Sequence, residues 1–282
     1  MSARDMMLMV APNGARRTKA DHPGVPLTPD ELAAEARACF DAGAAAIHLH
    51  VRDGRGRHSL EPADYLPAIA AVREAAPDMV LQITTEAVGR YGPAEQMACV
   101  RAVVPEAASL ALRELAPDDG RETLERLRGF LRWMQVMDIS PQFILYDPAE
   151  VERFLRLRSE GVIAFERPFL LFVLGRHSAD GTSVPGELDP FVEALGDAPA
   201  EWAVCAFGPR EAEIALHAAR LGGHARIGFE NNDRLPDGSV AESNADLVRA
   251  VRGILEGEGF ALMSPGDARA LFRRAAKRAP AG

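Results

Sequence analysis

Ala46-Ile47-His48-Leu49-His50-Val51 is the stretch on which the fold reading turns. Side chains alternate along a strand, so His48 and His50 share one face while Ile47, Leu49 and Val51 share the other. An apolar face of this kind packs on helices. The opposite face then carries two imidazoles into an interior. Helical patterns flank the strand on both sides. Upstream lies Pro29–Ala42, with Thr28 as N-cap, Pro29 at the first helical position, Glu31 completing a capping box and Gly43 as the stop. Downstream lies Pro62–Ala76.

The same alternation runs outward in both directions. Strand patterns at Met6–Ala11, Ala46–Val51, Met79–Thr84, Ala108–Leu112, Gln142–Tyr146, Phe169–Leu174, Glu201–Phe207 and His224–Phe229 alternate with helical stretches. After the second and third strands these are Pro62–Ala76 and Pro93–Val103. Then come Arg121–Met137, Pro148–Glu160, Leu188–Leu195, Pro209–Leu221 and Asn244–Glu256. Eight strictly alternating βα units predict an α/β fold of the closed (β/α)8 TIM-barrel type, with an open doubly wound sheet as the alternative. A last amphipathic piece, Pro265–Ala276, predicts a C-terminal helical extension on one domain spanning residues 1–282. Loops are expected at Ala116–Gly120 and at His177–Gly186, the second long enough to be a lid or a subunit contact.

Bulk properties narrow the partners. With 48% apolar and 26% charged residues the chain can bury a large core. A net charge of −9 opposes a phosphate backbone, which argues against nucleic acid but not against an anionic small molecule met by a local basic cluster. No apolar run approaches the ~20 residues of a membrane span. Met1–Val10 lacks a cleavage pattern and reads as the first strand, not a signal peptide. Cys39, Cys99 and Cys205 lack CxxC spacing and read as reduced core residues of a cytoplasmic protein.

Barrel enzymes carry their chemistry at the C-terminal ends of strands. Two imidazoles on one strand face form a natural zinc-ligand pair, although hydrogen-bonded interior histidines give the same pattern. In the eighth strand Arg226, Gly228 and Glu230 fall on one face, which puts Glu230 at the barrel mouth. Only the first strand separates it from His48 and His50. His, His and Glu would leave coordination positions open for water or substrate; a salt bridge between Glu230 and Arg226 is the competing reading. Thr84, Thr85 and Glu86 end the third strand. Ser109, Arg113 and Glu114 lie along or after the fourth, and Gln142 and Asp147 flank the fifth. Arg16, Arg17, Lys19, Arg52, Arg55 and Arg57 make the first two loops basic, as a site for an anionic cosubstrate or as a solvated rim.

Several segments, in order, resemble a known family. They are Ala11-Pro12-Asn13-Gly14-Ala15, Pro26-Leu27-Thr28-Pro29, Gly43-Ala44, His48-Leu49-His50-Val51-Arg52-Asp53-Gly54, Pro105-Glu106 with Ser109-Leu110, Val173-Leu174-Gly175, Gly222-Gly223-His224, Arg226-Ile227-Gly228-Phe229-Glu230 and Ser243-Asn244 with Leu247-Val248. Across nearly its whole length the chain resembles the β-keto acid cleavage enzymes. The resemblance implies a homotetrameric TIM barrel whose Zn2+ is held by His48, His50 and Glu230. It implies condensation of a β-keto acid with acetyl-CoA to give acetoacetate and a new acyl-CoA. It assigns Arg226 to stabilising an anion or orienting a carboxylate. Thr84, Thr85, Ser109 and Asn231 are the expected substrate-binding residues.

Three positions depart from the family pattern. Its Glu-Asp-Asn after the eighth strand is Glu230-Asn231-Asn232 here, and an amide cannot act as the general base attributed to that aspartate. A family glutamate is Gln142. A Gly-Gly pair is Glu86-Ala87, so Glu86 is expected to supply a compensating carboxylate, as catalytic base or as the group that recognises a cationic substrate. Other readings are a zinc barrel aldolase or lyase without CoA, a metal hydrolase, or a non-catalytic ligand-binding barrel. The metal hydrolases that share HxH carry it on the first strand, whereas here it lies on the second.

Overall fold

The computed structural model describes residues 5–178 and 181–279. Met1–Val10 and the loop His177–Gly186 therefore lie partly outside the described residues. Eight parallel strands close into a barrel: β1 (Leu8–Val10), β2 (Ala46–Leu49), β3 (Val80–Ile83), β4 (Ala107–Ala111), β5 (Ser140–Leu145), β6 (Phe169–Leu174), β7 (Glu201–Ala206) and β8 (His224–Ile227). Each strand pairs with its predecessor, and β8 pairs with β1 through Ala225↔Leu8, Arg226↔Met9 and Ile227↔Val10. The open sheet is thereby excluded.

The intervening helices are α1 (Pro29–Ala42), α2 (Pro62–Ala75), α3 (Pro93–Val103), α4 (Arg121–Val136), α5 (Pro148–Ser159), α6 (Asp189–Leu195), α7 (Glu211–Arg220) and α8 (Asn244–Gly257), with α9 (Pro265–Ala275) at the end. Thr28 caps α1 through the expected box: its side chain accepts from the Glu31 N–H, and the Glu31 carboxylate returns to the Thr28 N–H at 3.1 Å. No helix among the described residues is long and apolar enough to cross a membrane.

The two faces of the strands go where alternation sends them. Outward residues such as Leu8, Val10, Ile47, Leu49, Leu81 and Ile83 join the helices in one large core. Inward residues near the strand starts, among them Met7, Ala46, Val80, Ala107 and Phe169, form a second cluster with Leu271 and Phe272 of α9. The C-terminal helix thus plugs the lower end of the barrel. Phe272 packs edge-on against Phe169 at 5.1 Å, and its carbonyl accepts a 2.9 Å hydrogen bond from Ser140 Oγ. Burying a side chain of this size contributes roughly 2–3 kcal/mol.

One layer higher the interior turns polar: His48 registers with Gln82, and Ser109 with Gln142. An apolar plug below and a polar layer above leave the upper end of the barrel as the place for chemistry. Two features escaped the sequence pattern. A small hairpin pairs Val51–Arg52 with His58–Ser59 after β2, and a strand pair joins Asp5–Met6 to Ala261–Leu262 outside the barrel. Each is only two residues per strand, too short to show a period.

Candidate active site

The upper mouth of the barrel holds a cavity of about 270 Å³ whose walls include His48, His50, Thr84, Glu86, Arg226, Glu230 and Asn231. Its remaining walls are Gly14–Arg17 after β1 and an apolar side made by Ile144, Tyr146, Val173 and Phe207, with Arg176 at one edge. Nine of the residues singled out in the sequence, Arg16 and Arg17 included, therefore meet at one place. Thr85 and Ser109 lie behind the wall, both 1% exposed, and Thr85 Oγ1 donates to the Ser109 carbonyl at 2.7 Å.

His48 and His50 are each 1% exposed. Gln82 Oε1 lies 2.7 Å from His48 Nδ1. A carboxamide oxygen only accepts, so Nδ1 carries the proton and Nε2 is left with a bare lone pair. Gln82 is itself held because its Nε2 donates to Gln142 Oε1 at 3.1 Å. Burial, with the nearby Arg226 charge, holds the His48 imidazole well below its ordinary pKa and therefore neutral.

Glu230 arrives by a different route from the one the strand alternation suggested. β8 ends at Ile227, and Gly228 turns the chain with φ +131°. A Cβ at Gly228 would stand 2.6 Å from the Ala11 carbonyl, so only glycine fits this turn. The turn is fixed on every side: Gly228 N–H donates to Glu211 Oε1, Phe229 N–H to Asn244 Oδ1 and Glu230 N–H to the Ala11 carbonyl, at 2.7–3.1 Å. Gly14 clears the space beside Glu230, because a Cβ there would lie 2.6 Å from Glu230 Cγ.

Glu230 uses its two oxygens separately. Oε1 pairs with Arg226 at 2.9 Å, the salt bridge considered in the sequence. Oε2 has no hydrogen-bond partner and faces His50 Nε2 at 3.3 Å and His48 Nε2 at 3.8 Å. Burial alone would raise this carboxyl, but Arg226 and the two imidazoles outweigh it and hold Glu230 well below the usual carboxylate range. Burial likewise works against the Arg226 charge, while Cys205 and Glu230 keep it firmly protonated.

His48 Nε2 and His50 Nε2 stand 3.1 Å apart. With Glu230 Oε2 they form a triangle of 3.1, 3.3 and 3.8 Å edges. Tetrahedral ligands at 2.0–2.2 Å from a zinc ion are separated by about 3.3 Å. The three atoms thus already hold the spacing of one tripod, and among the described residues they form a group able to hold a metal ion.

The loops divide their basic residues. Arg16 and Arg17 reach the cavity, and Arg17 also clasps the β8 turn, donating to the Phe229 carbonyl at 2.8 Å and pairing with Asp233. Arg52 shapes the first loop instead, donating to the Gly14 and Arg17 carbonyls at 2.6 and 3.1 Å. Lys19 pairs with Glu31 and Arg57 with Asp53, away from the cavity. Arg113 bridges Asp147 and Glu150. Glu86 lies with Oε2 4.0 Å from His50 Nδ1 and Oε1 toward two guanidiniums, Arg176 at 3.3 Å and Arg16 at 3.7 Å. Asn231 Oδ1 accepts from Arg226 at 3.5 Å, and its Nδ2 is buried without a partner.

Sequence reasoning missed Arg176, Tyr146, Phe207 and Gln82. Arg176 was within reach, because it stands two residues after β6, where barrel loops carry function. Gln82 was not: its role depends on cross-strand register with His48.

A family model described as "beta-keto acid cleavage enzyme" matches residues 5–273. The 3-keto-5-aminohexanoate cleavage enzyme of Acetoanaerobium sticklandii is 30% identical over 272 residues, covering 95% of this chain and 97% of the relative. The 3-oxoadipate:acetyl-CoA acetyltransferase of Cupriavidus necator is 27% identical over 94% of each chain. Among solved structures, a ternary complex of ObcA with a C4-CoA adduct and oxalate superposes with a TM-score of 0.73 at 20% identity, a likeness of fold. The match covers 89% of this chain and 67% of ObcA.

Proposed function

This chain belongs to the β-keto acid cleavage enzyme family, and from that premise we propose that it is a zinc-dependent enzyme joining a β-keto acid to acetyl-CoA, releasing acetoacetate and a new acyl-CoA. The observation that carries the reading is the triangle of His48 Nε2, His50 Nε2 and Glu230 Oε2, three potential ligand atoms at ligand spacing, the oxygen having no hydrogen-bond partner. A His2Glu set with open positions is one that catalytic zinc sites use. When bound, it would act as a Lewis acid on the keto acid, lowering the pKa of its C2 proton.

The protein's own groups are proposed to do the rest. Arg226 holds Glu230 by one oxygen, and its Nε, buried without a partner, is a donor for a substrate oxygen as negative charge develops there. Asn231 cannot take up a proton, but its unpartnered Nδ2 is a second donor on the same side. Thr84 supplies a hydroxyl on the wall, and Ser109 and Thr85 support that wall from behind. Glu86 is the one carboxylate lining the cavity, among the described residues, that the metal tripod leaves uncommitted. It is the candidate to take the C2 proton, leaving a carbanion that attacks the acetyl-CoA carbonyl and expels CoA thiolate. That thiolate then attacks the former keto carbon, the C2–C3 bond breaks to give the new acyl-CoA, and the departing C2 carbanion takes back the proton from Glu86 to become acetoacetate. A homotetramer is the proposed assembly.

The test is an acetoacetate-release screen over a panel of β-keto acids with and without acetyl-CoA, run on the wild-type protein and on Glu86→Gln. The expected result is acetyl-CoA-dependent release that the variant loses at least a hundredfold while keeping its zinc. CoA-independent turnover, or near-wild-type kinetics in Glu86→Gln, would reject the reaction or the base, respectively.

A further inference from the structure

The mouth of the cavity carries a charge imbalance that the reaction does not use. Four guanidiniums line it, Arg16, Arg17, Arg176 and Arg226, against two carboxylates, Glu86 and Glu230. Arg226 is spoken for by Glu230 and Arg17 by Asp233. Arg16 and Arg176 are left facing the single carboxylate of Glu86. In a chain of net charge −9 this is a local positive site, and it sits where field lines from the cavity converge.

The placement of these groups is as informative as their number. Glu86 follows β3, Arg16 follows β1 and Arg176 follows β6, so the Arg176–Glu86 contact reaches across the barrel mouth. The Arg176 guanidinium lies over the Phe207 ring at 5.3 Å. That stacking fixes the plane of the guanidinium, and the N–H groups beyond the one that donates to Glu86 Oε1 can turn to a planar acceptor. The same cavity that holds the tripod and Arg176 carries an apolar wall of Ile144, Val173 and Phe207. A substrate whose keto-acid end sits at the tripod would lay an aliphatic segment on that wall and bring its far end to the two arginines.

We infer that Arg16 and Arg176 form a subsite for a second carboxylate, so that the preferred substrate is a β-keto acid whose side chain ends in an anionic group. This rests on the proposed reaction for the keto-acid end and adds the chemistry of the tail. A dianionic substrate brings the count at the arginines to two positive and two negative charges. A cationic tail would have to compete with both guanidiniums for Glu86. A neutral tail would leave the excess cation unused. Charge-assisted hydrogen bonds to a partly buried guanidinium are worth roughly tenfold or more in affinity.

The test measures binding alone, by calorimetry without acetyl-CoA, so it is separable from the proposed reaction. Fresh 3-oxohexanedioate and 3-oxohexanoate differ only in the terminal carboxylate. The purified wild-type protein is expected to prefer the diacid about tenfold or more. Arg176→Gln and Arg16→Gln should each shrink that ratio severalfold while holding the affinity for 3-oxohexanoate within about twofold; Arg176→Lys should recover part of it. Equal affinity of the wild type for the two acids overturns the inference without any variant. So does a parallel titration in which the variants weaken adenosine 3′,5′-bisphosphate but leave the diacid ratio intact, because the arginines would then serve the phosphates of CoA. A preserved diacid preference with no CoA-dependent turnover would reject the reaction and keep the subsite.

Discussion

Replacing Gln82 by leucine tests the metal site without touching a ligand. Gln82 is fully buried, accepts from His48 Nδ1–H at 2.7 Å and donates to Gln142 at 3.1 Å. Leucine fills similar space but strands the Nδ1–H and the Gln142 oxygen. Each stranded buried group costs roughly 1–3 kcal/mol. His48 can recover part of that cost by moving its proton to Nε2, which blocks the lone pair a metal needs. Partners that orient a ligating imidazole are typically worth 10–100-fold in metal affinity, about 1.4–2.7 kcal/mol. Gln82→Leu should therefore bind zinc 10–100-fold more weakly, read by competition with a chromophoric chelator, with circular dichroism confirming the fold. Gln82→Glu is the matched control. It still accepts from Nδ1–H, and Gln142 can turn its partnerless Nε2 toward the new carboxylate. Zinc affinity in Gln82→Glu should equal or exceed that of the wild type. A folded Gln82→Leu protein with unchanged zinc affinity would refute the assignment of His48 Nε2 as a ligand.

Two further outcomes follow from the geometry. Gly14→Ala places a Cβ 2.6 Å from Glu230 Cγ at a position with φ +61°, so it should displace the carboxylate and weaken zinc at least tenfold; retention of wild-type affinity would show that Glu230 is not required in its observed position. The metal-free protein should be most stable near pH 6.5. Burial, first among the causes, pushes His58 down to about 3 and His224 to about 4 from an ordinary 6.5, so below pH 6.5 the unfolded chain takes up protons that the folded chain refuses. Burial pushes Glu211 up to about 8 from 4.5, so the folded chain keeps a proton there that the unfolded chain has lost. Between pH 4.5 and 6.5 the protons refused by His48, His58 and His224 outnumber the one kept by Glu211, so stability rises with pH. From pH 6.5 to 8 Glu211 acts alone and stability falls. Urea unfolding across this range in the presence of chelator measures it, and a steady rise through pH 8 would contradict the assignment.

The sequence by itself determined the barrel and named all three residues of the candidate metal site. Phe169–Leu174 and the helices Pro29–Ala42 and Pro93–Val103 have the predicted bounds, because apolar periodicity and capping residues act over a few positions and leave a local record. The HxH pair was legible for the same reason: a period of two is a property of one strand. Glu230 was identified by the alternation of β8, yet it reaches the site through a turn that only Gly228 can make. What the tertiary structure decided depends on residues far apart in the chain. Gln82 fixes the tautomer of His48 from 34 positions away. Arg176 meets Glu86 across 90. Asn244 and Glu211 hold the turn that carries Glu230. Such contacts arise from strand register and barrel closure, which bring different loops to one mouth, and no local period in the sequence records which side chains will face each other there.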